Sequence, residues 1–154
     1  MRLPLTAIAV FCLLLPQIAF AQPPQTELSG RWQVKFTFAG RDEMNLIFDS
    51  HDRGSGTFLL LDTAPEARSE SSTRSAAWVK STDDQVSFSG EVELPIGDCC
   101  RETGTLIFKG KFRGNNLLSG KVIFVGSTED EENPIGFRAM IGSFTATRLA
   151  AASP

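Results

Sequence analysis

The segment Gly30–Phe38 constrains the fold more than any other part of the chain. Within it, polar residues alternate with four apolar ones, namely Trp32, Val34, Phe36 and Phe38. An alternation with a period of two is typical of a β-strand that has one buried face and one solvated face. The segment therefore predicts a strand whose aromatic side packs into a core.

Seven further segments repeat this alternation, at a spacing of roughly 12 to 15 residues. The predicted strands are 28–38, 43–49, 56–61, 76–81, 86–94, 103–112, 117–125 and 135–149. Short polar turns join most neighbours, and no helical period of useful length follows residue 21. We therefore predict an all-β protein with one antiparallel up-and-down barrel of about eight strands, because closure leaves no unpaired edge.

Strand direction decides which loops lie together. Three longer polar loops are predicted, at residues 63–75, 95–102 and 127–134. In an up-and-down barrel these loops and the turn at 39–42 share one end, which we name the open end, and we expect function there. The last strand contains Gly142, where the inward positions change from odd to even numbers, and this pattern predicts a bulge or kink.

The beginning of the chain has the features of an export signal. Arg2 precedes an apolar run at residues 7–15, and Ala19-Phe20-Ala21 is typical of a cleavage site. We expect the protein to be secreted or periplasmic after cleavage near Ala21. The predicted segments are a signal peptide at 1–21, a flexible leader at 22–27, the barrel domain at 28–149 and a disordered tail at 150–154.

The charge of the chain argues against two classes of partner. The chain has 15 basic and 18 acidic residues, and its formal charge is −3. A mildly acidic protein with scattered basic residues lacks the electrostatic footprint of a nucleic-acid or anionic-membrane binder. A membrane barrel would expose its apolar side chains, whereas Gly30–Phe38 alternates aromatic residues with charged ones. We expect no nucleic-acid partner and no membrane span.

The motif Gly30-Arg31-Trp32 resembles the start of the first strand in the calycin superfamily, which includes lipocalins, fatty-acid-binding proteins and avidins. Lipocalins also place a basic residue late in the last strand, across that tryptophan, and Arg148 stands at this position. The resemblance implies a lipocalin/calycin-like barrel over 28–149. It also implies that Trp32 and Arg148 plug one barrel end through a cation–π contact worth about 0.5–2 kcal/mol.

The inward positions combine aromatic residues with glycines, a pattern that fits either an apolar cavity or a packed core. The residues predicted to line a ligand cavity are Phe36, Phe38, Met44, Trp78, Val92, Leu94, Phe108, Phe124 and Phe137. We expect a non-catalytic protein that binds a small apolar ligand, with no cofactor. The alternative is a structural or protein-interaction module with a packed core. A barrel isomerase or cyclase ranks third, because no acid–base pair is recognisable.

Two further features carry predictions. Cys99 and Cys100 are adjacent. They form a strained vicinal disulfide that acts as a redox or soft-metal site, an intermolecular disulfide, or a structural pair with no catalytic part. The structural pair is favoured, because no third soft ligand or nearby histidine supports metal binding. The outward residues Ile107, Ile123 and Val125 form an apolar patch on neighbouring strands. Such a patch predicts a homodimer face or a surface covered by the tail.

Overall fold

The computed structural model describes residues 28–61, 73–96, 100–130 and 133–150. Within these ranges the strands form one closed antiparallel barrel, in which each strand pairs with its neighbours in sequence and the last returns to the first. The strands are β1 (Gly30–Phe38), β2 (Met44–Ser50), β3 (Ser55–Leu61), β4 (Arg74–Lys80), β5 (Gln85–Ile96), β6 (Cys100–Phe112), β7 (Leu117–Asp130) and β8 (Asn133–Arg148). The predicted eight-stranded up-and-down barrel is confirmed.

Several predictions fall outside the described ranges. The predicted signal peptide, the leader, Cys99 and most of the tail lie there. Among the described residues, no helix has both the length and the apolar character needed to cross a membrane.

The hairpins at the open end are longer than predicted. Strand β5 continues to Ile96 and pairs with β6 from Cys100 onward, while β7 reaches Asp130 and pairs with β8 from Asn133. The prediction of long loops at 95–102 and 127–134 was therefore wrong. These segments have little apolar alternation, so a pattern that depends on one buried face does not detect them; their backbone pairing makes them strands.

The predicted bulge at Gly142 was also wrong. The β7–β8 ladder continues regularly past Gly142 and shifts only between Thr128 and Asp130. Gly142 pairs with Phe38 where β8 closes the barrel against β1. A Cβ atom at position 142 would overlap the carbonyl oxygen of Thr37. Glycine is thus needed for the close approach of the two strands, and the inward positions remain even-numbered from Met140 to Ala146.

Phenyl rings fill the middle of the barrel. Eight phenylalanines of the core are at most 3% exposed, namely Phe36, Phe38, Phe48, Phe58, Phe88, Phe108, Phe124 and Phe144. Phe108 lies at the centre, with ring centroids 5.7 Å from Phe36, 5.9 Å from Phe58, 4.6 Å from Phe88 and 5.1 Å from Phe144. These stacked and edge-to-face arrangements are the favourable geometries of aromatic pairs.

The inward glycines make room for these rings. At six glycines, an added Cβ atom would come within 3.1 Å of a phenyl ring that lies no more than two strands away. The pairs are Gly56 with Phe48, Gly90 with Phe58, Gly104 with Phe124, Gly110 with Phe144, Gly126 with Phe124 and Gly142 with Phe38. The alternation of glycine and phenylalanine therefore produces a packed aromatic core in the middle of the barrel.

Candidate functional site

The end of the barrel where β1 begins is sealed by side chains, and we name it the closed end. Trp32 is fully buried, and its Nε1 donates a 2.8 Å hydrogen bond to the carbonyl oxygen of Leu28. The Arg148 guanidinium lies 4.5 Å from the centroid of the Trp32 ring and also donates to the carbonyl of Ser29. Trp32 and Arg148 therefore act in stability, and a ligand site must lie elsewhere.

Trp78 also lies toward the closed end. Its Nε1 donates a 2.9 Å hydrogen bond to the carbonyl oxygen of His51, in the turn between β2 and β3. Trp78 also pairs with Phe88 in the β4–β5 ladder and packs on the core. The His51 side chain is more than half exposed and lies 3.8 Å from the Asp49 carboxylate. Within the described ranges, no three His, Cys, Asp or Glu side chains lie close enough to hold a metal ion.

Most other predicted ligand residues belong to the packed core. Those that are at most 3% exposed are Phe36, Phe38, Val92, Leu94, Phe108 and Phe124. Met44 is partly exposed and packs on the core at the open end. Phe137 pairs with Ser127 in the β7–β8 ladder and Cys100 pairs with Ile96 in the β5–β6 ladder, but both side chains are outside the described part of the structure.

The open end contains an inward-facing acid that sequence analysis missed. Glu102 lies opposite Leu94 in the β5–β6 ladder and has the same parity as the buried Leu106. Its carboxylate fills the space beside Gly126, where an added Cβ atom would overlap Oε1. The Glu102 carboxylate thus fills the space beside a glycine, just as phenyl rings fill the space beside glycines elsewhere in this barrel.

Glu102 Oε1 is shielded from solvent and accepts no hydrogen bond from any described residue. Burial of a charged oxygen without a donor is costly, so this atom is suited to a ligand that supplies a donor or a positive charge. Three partly buried apolar side chains pack on the core at the same end, namely Met44, Leu60 and Met140. The open end therefore combines an apolar surface with the shielded carboxylate oxygen of Glu102.

Two hairpins meet across the open end. Arg41, in the β1–β2 turn, donates from Nη1 to the carbonyl oxygen of Pro95 on β5 over 3.4 Å. Strands β1 and β5 lie on opposite sides of the closed ring of strands. This bridge is longer than an ordinary hydrogen bond, so separating the two hairpins requires the loss of only a weak interaction.

The outer surface of β6, β7 and β8 carries an apolar row. Ile107 pairs with Ile123, and Ile123 pairs with Ile141, so the three side chains lie side by side across three strands. Ile141 is 64% exposed, while Ile107, Ile123 and Val125 are partly buried. The last three were predicted to face outward from the sequence pattern, but Ile141 was not, because the predicted parity change at Gly142 placed position 141 inside.

Comparisons with known proteins assign no family to the chain. No protein-family model matches it, and no curated protein matches it. Among solved structures, a redesigned β-barrel is similar, with 14% sequence identity, coverage of 82% of this chain and 96% of that chain, and a TM-score of 0.43. A likeness at this identity concerns the fold alone.

Proposed function

We propose that this protein is an exported, non-catalytic binding protein that holds a small amphiphile at the open end of a calycin-like barrel. The observation that carries the proposal is the buried Oε1 of Glu102, which lacks a hydrogen-bond donor among the described residues. The export signal at 1–21 and the Gly30-Arg31-Trp32 motif support the location and the family resemblance.

The packed core determines the class of ligand. A wholly apolar molecule in the middle of the barrel would have to displace buried phenyl rings such as Phe108 and Phe88, which stack at 4.6 Å. A ligand at the open end instead rests its apolar part on Met44, Leu60 and Met140. Its head group donates a hydrogen bond to Glu102, and a primary ammonium provides both the donor and the opposite charge.

Replacement of Glu102 by glutamine tests this site. We expect Glu102→Gln to weaken the binding of dodecylammonium by about tenfold or more, because a hydrogen bond to a charged group contributes about 1.5–3 kcal/mol. Isothermal titration calorimetry on the exported chain measures the change, with dodecanoate as the probe of opposite charge. The variant should keep the fold, because glutamine has nearly the same size and shape as glutamate.

Glu91→Gln is the matched control, because Glu91 is exposed on β5 and its loss makes the same change in charge. The control should bind dodecylammonium as the wild type does. Equal binding by Glu102→Gln and the wild type, or tighter binding of dodecanoate than of dodecylammonium, would contradict an open-end site based on Glu102.

A second candidate is an interaction module that forms a homodimer through the isoleucine row, and the 64% exposure of Ile141 favours it. We expect Ile141→Ser to convert a dimer at micromolar concentration into a monomer, because an exposed apolar row is a typical interface. Light scattering coupled to size-exclusion chromatography measures the mass. Val79→Ser is the control, because Val79 is 59% exposed on β4, away from the row. A monomeric wild type would exclude the homodimer.

A further inference from the structure

A groove of about 440 Å³ lies on the outer surface of β5, β6 and β7, toward the closed end. We name it the basic groove, because four cationic side chains line it: Lys109, Lys111, Arg113 and Lys121. This cluster contrasts with the formal charge of −3 on the whole chain. It lies toward the opposite end from the open end and borders the isoleucine row, because Lys109 and Lys121 are two residues along the β6–β7 ladder from Ile107 and Ile123.

Two of these lysines lie opposite each other, and no described acidic side chain neutralises their charges. Lys109 and Lys121 are direct partners in the β6–β7 ladder, and both are exposed. Like charges at directly opposite positions destabilise a sheet. Neither lysine has an ion-pair partner among the described residues. A bound anion would relieve this repulsion.

The other two cationic side chains interact with neighbouring polar side chains. Lys111 Nζ lies 3.5 Å from Oδ2 of Asp84, and Arg113 Nε donates a 3.2 Å hydrogen bond to the Ser119 hydroxyl. The Thr82 hydroxyl, which donates to Asp84 over 2.8 Å, holds the pKa of Asp84 below its ordinary value, with a smaller contribution from Lys111. Asp84 is therefore ionised at neutral pH and competes with any anion for Lys111.

The spacing of the cations suits a chain of anionic groups. Lys109 and Lys111 are two residues apart on one strand, which separates their Cα atoms by about 6.5–7 Å. Ser87 and Ser119 pair with Lys109 and Lys111 respectively, so a hydroxyl group lies beside each lysine. Ammonium and hydroxyl groups together donate hydrogen bonds to sulfate or phosphate oxygens and to sugar hydroxyls.

We propose that the basic groove binds an anionic carbohydrate that carries closely spaced sulfate or phosphate groups. Its concave polar lining fits a chain better than the flat surface of a membrane. None of the described residues that line the groove is aromatic, so these residues offer no stacking platform of the kind on which single-stranded nucleic acids bind. This binding is independent of the ligand proposed for the open end.

The test uses the exported chain with dextran sulfate and dextran phosphate as probes, and with unmodified dextran and polyglutamate as comparisons. The wild type should bind one or both charged dextrans, and the tighter of the two identifies the anionic group. It should not bind unmodified dextran. Lys109→Gln/Lys121→Gln should weaken binding by about tenfold at low salt, because each exposed charge pair contributes up to about a factor of five. Asp84→Asn should strengthen binding by up to about fivefold, because it releases Lys111.

The matched control is Arg31→Gln/Lys35→Gln, which removes the same charge from exposed positions on β1, outside the groove. The control and Glu102→Gln should both bind like the wild type. The melting temperature of Lys109→Gln/Lys121→Gln should not fall, because a repulsion is removed. The proposal is wrong if neither charged dextran binds, if the β1 control loses as much affinity, or if polyglutamate binds equally well with the same lysine dependence.

Discussion

Replacing Phe108 by alanine is expected to lower the free energy of unfolding by about 3–5 kcal/mol, the cost of a large buried aromatic truncated in a core that cannot collapse. The Phe108 ring is fully buried and lies within 6 Å, centroid to centroid, of four other rings. The melting temperature should fall by roughly 10–20 °C for a domain of this size. Urea unfolding followed by tryptophan fluorescence measures the change.

Benzene binding extends this prediction. The wild type should take up no benzene, whereas Phe108→Ala should bind it, because an apolar cavity of that size accepts such a ligand. Val79→Ala is the control, because Val79 is 59% exposed and its truncation should change stability by no more than about 0.5 kcal/mol. A loss below about 1 kcal/mol in Phe108→Ala, a change too small for a close-packed site, would contradict the packed core.

The substitution Gly142→Ala is expected to cost roughly 4 kcal/mol or more, which is exceptional for a single methyl group. The added Cβ atom would overlap the carbonyl oxygen of Thr37 and lie 3.1 Å from the Phe38 ring. Because the overlapping atom belongs to the backbone, relief requires β1 and β8 to separate along the seam that closes the barrel. Chemical denaturation measures the loss, and amide hydrogen exchange should localise it to this seam.

Ser143→Ala is the matched control, because Ser143 is the exposed neighbour of Gly142 on the same strand. This control should remain within about 0.5 kcal/mol of the wild type. A similarly small effect of Gly142→Ala would mean that β1 and β8 can move apart at little cost in free energy. That result would contradict the claim that the close approach of these strands requires glycine at position 142.

The sequence predicts the architecture because each central strand has one buried face. Trp32 and Phe36 in β1 and Phe88 in β5 all follow the two-residue period, and that period determines strand, face and order. The resemblance to calycins adds the position of Arg148, which the structure places over the Trp32 ring. These predictions require only local pattern and topology.

The candidate sites could not be predicted in the same way. Glu102 lies in a segment where apolar and polar residues do not alternate clearly. Only its pairing with Leu94 therefore reveals that it faces inward. Ile141 was misplaced because Gly142 was interpreted as a bulge, whereas its real constraint is contact with a distant strand. Lys109 and Lys121 look scattered along the chain and become neighbours only through the β6–β7 register. Each case depends on cross-strand contacts that one sequence does not specify.

The barrel is thus a rigid support for two separate surfaces, the open end and the basic groove on its outer face. The packed core and the Trp32–Arg148 plug provide stability, and the proposed ligand sites lie at the open end and on the outer surface. Because the open end and the basic groove share no residues, their ligands should bind independently.

The central claim is that ligand binding takes place at the open end and not in the middle of the barrel. The chain has three methionines, and Met1 falls in the predicted signal peptide, so a chain cleaved at the predicted site would retain Met44 and Met140, which lie at the open end. In a titration of methyl-labelled methionine with dodecylammonium, both methyl signals should shift together in the wild type. In Glu102→Gln they should shift only at about tenfold higher concentration. Binding that leaves both methyl signals unmoved, or that shifts them equally in the two proteins, would contradict the account.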